Sequence, residues 1–360
     1  MPIKDNYNSA SSHTVVTCKG GGSTCLECRP VPEPSAGEML LRLRVVGFCG
    51  TDLFKLTTGT AAAGTVLGHE VVGEVIKLGD GVSKFHVGDR VAVPHHVPCG
   101  KCVLCQRGYE TMCETFQENL MEPGGFADNI LMRPRATELA ARVVPKGVSD
   151  DAAVFMEPAA CVLRGIRRSE LTNKDAAIVL GAGSMGLLHL LVLRATLPRI
   201  SVVVVDPVRK RRDQAAKLGA AKTAASEADA LEAVSTLTDG FGADVVFDTV
   251  GGASVLGSAL RLSRQGGSVV LFAHAKEGEQ ARFELNELFK YERRILGTYS
   301  GALTEQAEVF KLLKDGTLDP TPLITHKMPL NDFDKGVSLV KNHEALKVLF
   351  TPSLALFEER

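Results

Sequence analysis

Four of the nine cysteines, Cys99, Cys102, Cys105 and Cys113, follow a C-x2-C-x2-C-x7-C spacing. Four thiolates so close in the chain can close a tetrahedron around zinc. The main competitor is an iron–sulfur cluster, whose ferredoxin run has three residues before its last cysteine and a proline after it. Here seven residues intervene and Glu114 follows, which favours zinc. Four thiolates leave no open position, so this ion is expected to be structural. A second group offers mixed donors: Cys49 in Gly47-Phe-Cys-Gly-Thr51-Asp52, His69 and Glu70 after Gly68, and Glu157 in Met156-Glu-Pro158. One thiolate, one imidazole and one or two carboxylates are the donor set of a catalytic zinc with a vacant position. Singly, each has a plainer reading as a buried thiol, a core imidazole or a capping carboxylate. The remaining close pair, Cys25 and Cys28, precedes Pro30 in a strand-and-turn region with no helix to lower a thiol pKa, and reads as two structural cysteines.

A third constellation is built for a dinucleotide. Ala176–Leu180 is an apolar run of strand length, followed by Gly181-x-Gly183-x-x-Gly186 and an apolar helix, with Met185 inside the turn. The first glycine makes the tight turn, the second admits a pyrophosphate, and the third lets helix pack on strand. The helix N-terminus then offers free N–H groups to the phosphates. Asp206 ends the next apolar run, 20 residues beyond Gly186, where a carboxylate bonds the adenosine ribose. That carboxylate favours NAD, since it repels the 2′-phosphate of NADP. The basic run Arg209-Lys210-Arg211-Arg212 pulls the other way. Arg211 is counted with the cofactor residues, while the run as a whole reads as the solvated start of a helix.

These groups need elements to hold them. From about Val15 to Pro158, short β-like runs (Met39–Val46, Val71–Leu78, Asp89–Val93) alternate with glycine turns, the texture of an all-β barrel or sandwich. Beyond Cys161, buried runs at Ala176–Leu180, Ser201–Val205, Asp244–Thr249 and Gly267–Phe272 are separated by helical stretches at Met185–Ala195, Arg209–Leu218 and Ser254–Leu262. That alternation implies a doubly wound parallel sheet. The chain of 360 residues is long enough for two domains. Residues 1–160 form the β-rich part, 161–300 the dinucleotide-binding part, and 301–360 a tail too short to be a domain. Lys and Arg number 41 against 42 Asp and Glu, a net charge of −1 that argues against nucleic acid or an anionic membrane as partner. The longest apolar runs, such as Gly186–Leu193, are too short to span a bilayer, and Met1–Thr14 is polar. A cytoplasmic protein with reduced cysteines is therefore expected.

Taken in order, G-F-C-G-T-D, G-H-E-V-V-G-E-V, V-G-D-R-V, the four-cysteine lobe, M-E-P and G-A-G-S-M-G resemble the zinc-dependent medium-chain dehydrogenases, most closely the polyol and threonine dehydrogenase branch. The resemblance implies an α/β two-domain protein: a GroES-like β-barrel catalytic domain, to which the C-terminal segment returns, plus a Rossmann domain, with the active site in the cleft between them. It makes Cys49 and His69 zinc ligands, puts Glu157 in the place of a second cysteine, and makes Glu70 a ligand or a nearby carboxylate. It gives Thr51 the hydroxyl that takes the alcohol proton, Asp52 a supporting role behind the ligands, and Lys347 the reach to the cofactor pyrophosphate. It also implies a homodimer or homotetramer.

Three positions depart from the family pattern. Phe54, three residues after Thr51, replaces a histidine of the proton relay. His95 stands where alcohol dehydrogenases place an apolar pocket residue, with His96 equally able to be the inward ring. Cys161 stands where a threonine commonly contacts the nicotinamide. The expected reaction is hydride transfer between a secondary alcohol and NAD with two zinc ions per chain. The polar Glu157 and His95 favour a polyol or sugar alcohol over an apolar alcohol. The alternatives are an NADP-dependent alcohol, aldehyde or quinone reductase of the same fold, and a non-catalytic dinucleotide-binding protein.

Overall fold

A computed structural model describes residues 12–353, so most of the polar N-terminal arm lies outside the described residues. The chain forms two compact units. The first takes its described residues from Met1–Gly108, Met112–Phe155 and Ile324–Arg360, and the second comprises Tyr109–Thr111 and Met156–Leu323.

The first unit is organised on the strand Met39–Gly47, which pairs antiparallel with Glu70–Leu78, Asn129–Met132 and Lys347–Thr351. Arg90–Val93 and Arg142–Val143 extend the sheet on one side, and Ile324–Pro329 lies parallel to Lys347–Thr351 on the other. The central strand is buried except at Arg42 and Arg44, as a strand covered on both faces requires. Its register opposes Gly47 to both Glu70 and Leu349, so three distant parts of the chain meet at one point. Phe48, Phe126, Phe333 and Phe350 pack edge and face beneath that point, with Phe126 and Phe333 centroids 4.8 Å apart. A hairpin of Ser12–Gly20 and Ser23–Pro30 forms a separate two-stranded sheet. Cys25 pairs across it with Thr17 and Cys28 with Thr14. Three residues apart in a strand, the two thiols face opposite sides and cannot join.

The second unit is a six-stranded parallel sheet in the spatial order Lys222–Ala224, Ser201–Val205, Ala176–Leu180, Ala243–Asp248, Ser263–Leu271, Arg294–Gly297. In chain order this is 3-2-1-4-5-6, the doubly wound arrangement whose ligands bind where strand order reverses. Ala176–Leu180, at that reversal, is buried throughout. The expected boundary at residue 300 is corrected to Leu323. Helix Leu303–Lys314 packs against helix Met156–Arg168, where buried Arg164 donates to Glu305 at 3.2 Å, and only from Ile324 does the chain return to the first unit. Among the described residues, no helix is long and apolar enough to cross a membrane.

Candidate active site

The mixed-donor group assembles in the first unit. Cys49 is the N-cap of helix Gly50–Thr58, and its sulfur accepts the Thr51 N–H at 3.5 Å. Asp52, at the third helical position, accepts the Cys49 N–H at 3.1 Å, which closes a capping box. The same carboxylate accepts the Gly68 N–H at 3.3 Å and lies 3.4 Å from His69 Nδ1. Buried Asp52 thus ties the corner that carries Cys49 to the corner that carries His69, and fixes which imidazole nitrogen is left to face a metal. Burial alone would push the His69 imidazolium down, but Asp52 and Cys49 outweigh it and hold its pKa well above the ordinary value. In Asp52, burial opposes the charge, yet His69 and the two backbone donors keep its pKa below the usual range.

Glu70 completes the group. One donor atom each from Cys49, His69 and Glu70 lie within 4.8 Å of one another. Glu70 is fully buried, its Oε2 bound by Lys347 and its Oε1 without a hydrogen-bond partner among the described residues. An orphaned buried carboxylate oxygen carries a desolvation cost of about 1–3 kcal/mol or more. A divalent cation among thiolate, imidazole and carboxylate would remove it, so these residues fit a zinc ion. Gly47 makes the seat possible: a Cβ there would overlap Glu70 Oε2. Lys347, expected at the cofactor pyrophosphate, is instead engaged by a buried carboxylate. Its side chain is 3% exposed, its ammonium is held by Glu70 and by the Phe48 carbonyl at 3.2 Å, and it lies over the Phe155 ring. A cation so engaged is not free to reach a pyrophosphate. Its partner is 277 positions away, and no spacing rule could have paired them.

Next to His69 lies a stack of imidazoles. His95 is 4.6 Å from His69 between ring centroids, and His96 is 3.6 Å from His95. Burial pushes the His95 pKa well down, and the positive charges of His69, His96 and Lys55 push it further; burial also brings His96 down to about 4. Both are therefore neutral at pH 7, with one donor and one acceptor nitrogen each. His95 Nδ1 is buried with no hydrogen-bond partner among the described residues. It is thus His95 that packs on His69, while His96 packs between His95 and Phe116. Phe54 follows Thr51 by one helical turn on Gly50–Thr58, as expected from its place in the sequence.

Glu157 and Cys161 stand one turn apart on helix Met156–Arg168 of the second unit, and the Cys161 thiol donates to Glu157 Oε1 at 3.6 Å. The three-donor cluster does not include Glu157, so its role as a ligand rests on the family resemblance.

The four-cysteine lobe is self-contained. Sulfurs held tetrahedrally at about 2.3 Å from zinc are about 3.8 Å apart. Here Cys99 and Cys105 Sγ are 3.9 Å apart and Cys102 and Cys105 Sγ 3.5 Å apart, and all four sulfurs lie within 4.8 Å of one another. Burial and the Cys102 hydrogen bond push the Cys105 thiol up to about 12. Burial would also raise Cys113, but the Thr115 hydroxyl and the Cys99 N–H bring it down to about 6. Four thiolates this close need a cation to coexist, and zinc fits.

In the second unit, Gly181 has φ +94°, and a Cβ at Gly186 would overlap the Gly181 carbonyl, so the strand–turn–helix needs both glycines. Gly183 is the N-cap of helix Ser184–Thr196, Met185 lies in its first turn, and the space beside the Gly183 Cα is open. Asp206 accepts the Ala182 N–H at 2.9 Å and the Val208 N–H at 2.8 Å. It therefore braces the glycine turn as well as ending the second strand. Arg211 lies 3.7 Å from Asp206, and Arg212 donates to the carbonyls of Asp206 and Pro207 at 2.7 and 2.8 Å. Two of the four cations of the basic run are thus engaged locally.

Residues 35–142 match the alcohol dehydrogenase GroES-like domain, and residues 185–315 match the zinc-binding dehydrogenase domain. The chain is 30% identical to a sorbitol dehydrogenase of Halalkalibacterium halodurans, over 94% of this chain and 98% of that one. It is 32% identical to an erythritol/L-threitol dehydrogenase of Mycolicibacterium smegmatis, over 94% and 97%. An alcohol dehydrogenase of Escherichia coli CFT073, solved with NADH, superposes with a TM-score of 0.84 at 26% identity, over 95% of this chain and 99% of that chain.

Proposed function

The chain belongs to the zinc-containing medium-chain dehydrogenases, and from that premise we propose that it oxidises a polyol or similarly hydroxylated secondary alcohol with NAD. The products are the carbonyl compound, NADH and a proton. The observation that carries the reading is the buried convergence of Cys49, His69 and Glu70, with one Glu70 oxygen left without a donor. Cys49, His69 and Glu70 would hold a zinc ion there, which would supply Lewis-acid chemistry that lowers the pKa of the alcohol hydroxyl.

The rest of the work falls to side chains. Thr51, in the first turn of the helix capped by Cys49, takes the hydroxyl proton. Phe54 cannot carry a proton onward, so Thr51 releases its own hydroxyl proton to water as it takes that of the alcohol. Asp52 keeps His69 oriented. On the family resemblance, Glu157 is a further carboxylate ligand. Asp206 holds the adenosine ribose and selects NAD, and the local engagement of Arg211 and Arg212 supports that choice over NADP. A homo-oligomer belongs to the same reading. Among the described residues the edge strand Arg294–Gly297 pairs with one neighbour only, and Leu285 and Phe289 in the segment before it are exposed.

His95 supports the polar substrate. A neutral ring with an unpartnered buried nitrogen beside the metal-ligand imidazole favours a substrate bearing a second hydroxyl. The test is a panel of sorbitol, 2,3-butanediol, threonine and 1-butanol, run with and without a chelator on the wild type and His95→Leu. The polyols are expected to lead, and His95→Leu to lower their kcat/KM by about tenfold relative to 1-butanol. Best activity on 1-butanol, or an unchanged ranking in the variant, overturns the polar-pocket reading, and activity that survives full metal removal overturns the zinc mechanism.

A further inference from the structure

We propose that Arg135 is a positioning residue for the substrate pocket, acting through the short segment that carries His95 and His96. The inference rests on the reading of His95 as the partner of a substrate hydroxyl. Arg135 stands near the start of helix Pro134–Leu139. Its guanidinium Nε donates to the Val97 carbonyl at 3.1 Å, and its Nη2 donates to the Thr115 carbonyl at 2.8 Å and to Glu118 Oε2 at 2.7 Å. Val97 is two residues before Cys99 and Thr115 two residues after Cys113. One planar group therefore ties the two strands of chain that enter and leave the four-cysteine lobe.

Two further ties close the same neck. The Cys99 N–H donates to Cys113 Sγ at 3.4 Å. The His96 ring packs against Phe116 at 5.2 Å between centroids, and Phe116 is fully buried. His96 in turn carries His95, whose ring faces His69. The path from guanidinium to pocket is thus Arg135, the Val97 carbonyl, His96 and His95, with every link a direct contact or a covalent neighbour. The lobe does more than close on itself: its neck is the floor on which the imidazole pair stands.

The fork geometry matters. A guanidinium bridges two carbonyls in one plane, whereas an ammonium is a point donor on a flexible stem that holds such a bridge poorly. Without the bridge, Val97 and Thr115 lose their shared donor and the His95–Pro98 segment is free to shift. Misplacement by about 1 Å can lower a rate by up to about a hundredfold when it touches the reacting atoms. Here it touches only a binding partner, so the effect falls on the KM for hydroxyl-rich substrates.

The test uses the zinc-loaded full chain as wild type, Arg135→Met, Arg135→Lys and His95→Leu. Substrates are the polyol of highest kcat/KM from the panel above and 2-butanol, which has one hydroxyl. Arg135→Met is expected to raise the polyol KM about tenfold while its kcat and the 2-butanol KM stay within about twofold. Arg135→Lys restores part of the loss. In spectra of histidine rings labelled with nitrogen-15, recorded without substrate, the His95 and His96 signals move in Arg135→Met and stay in place in Arg264→Met, a variant of the second unit. An unchanged polyol KM in Arg135→Met, alongside a raised one in His95→Leu, overturns the positioning role and leaves the pocket reading standing. An equal rise for both alcohols, or a fall in kcat for both, also overturns it, because a general loss of structure would do the same. A polyol KM that His95→Leu does not move overturns the pocket reading and this inference with it. If Arg135→Met does not fold, Arg135→Lys decides on the same ratio, with about a threefold rise expected.

Discussion

The cofactor site and the mixed-donor site are built in opposite ways. In the second unit the strand Ala176–Leu180, the glycine turn, the helix Ser184–Thr196 and the strand ending before Asp206 form one unbroken stretch of chain. Each part positions the next through local geometry: Gly181 turns, Gly186 packs under it, and Asp206 bonds back to Ala182. In the first unit the donors come from a helix cap and a strand start and the ammonium that holds Glu70 from the C-terminal return, brought together because Met39–Gly47 pairs with both Glu70–Leu78 and Lys347–Thr351. The four-cysteine lobe resembles the cofactor site in this respect, since all its donors are neighbours in the chain. A contiguous site is fixed by backbone rules, whereas an assembled site needs buried charges that hold one another, as Asp52 holds His69 and Lys347 holds Glu70.

If that comparison is right, the two sites fail independently. The largest effect is expected from Cys49→Ser or His69→Ala, which should lower kcat by more than about a thousandfold. NADH binding, followed by fluorescence titration, should stay within about threefold of wild type, because no residue of the glycine turn is touched. Loss of NADH binding together with activity would mean that the chain had unfolded and that the sites are not separable. The reciprocal variant is Asp206→Ala. It removes the proposed ribose partner and the acceptor for the Ala182 N–H together, so NAD affinity should fall by about ten- to a hundredfold. NADP affinity should fall less or improve, and the zinc content should not change. A wild type that uses NADP better than NAD would show that Arg209–Arg212 hold a phosphate, and would reverse the assignment of Asp206.

Legibility in the sequence follows the same division. The strands Ala176–Leu180 and Ser201–Val205 stand at the bounds their apolar runs predict, because a parallel strand buried on both faces admits only apolar residues. Cys99, Cys102, Cys105 and Cys113 come together as their spacing implies, since loops this short can hardly keep them apart. Cys49, His69 and Glu70 could be chosen only through the family resemblance, because each alone is an ordinary buried residue. The partner of Lys347 was not legible at all. A basic residue near the C-terminus looks the same whether it faces a phosphate or a buried carboxylate, and only the pairing of Lys347–Thr351 with the end of Met39–Gly47 decides. The boundary at Leu323 was missed for a related reason: the face that Leu303–Lys314 buries is set by Arg164, 141 positions before its partner Glu305.

The assembled site is expected to hold a metal of its own, distinct from the lobe. Elemental analysis of zinc per chain tests it most directly, on wild type, His69→Ala and Cys102→Ser purified alike. About two zinc ions are expected in the wild type and about one in each variant, with Cys102→Ser also melting earlier because a structural zinc contributes folding free energy. A wild type with a single zinc that His69→Ala retains would contradict it, since the convergence of Cys49, His69 and Glu70 would then hold no metal.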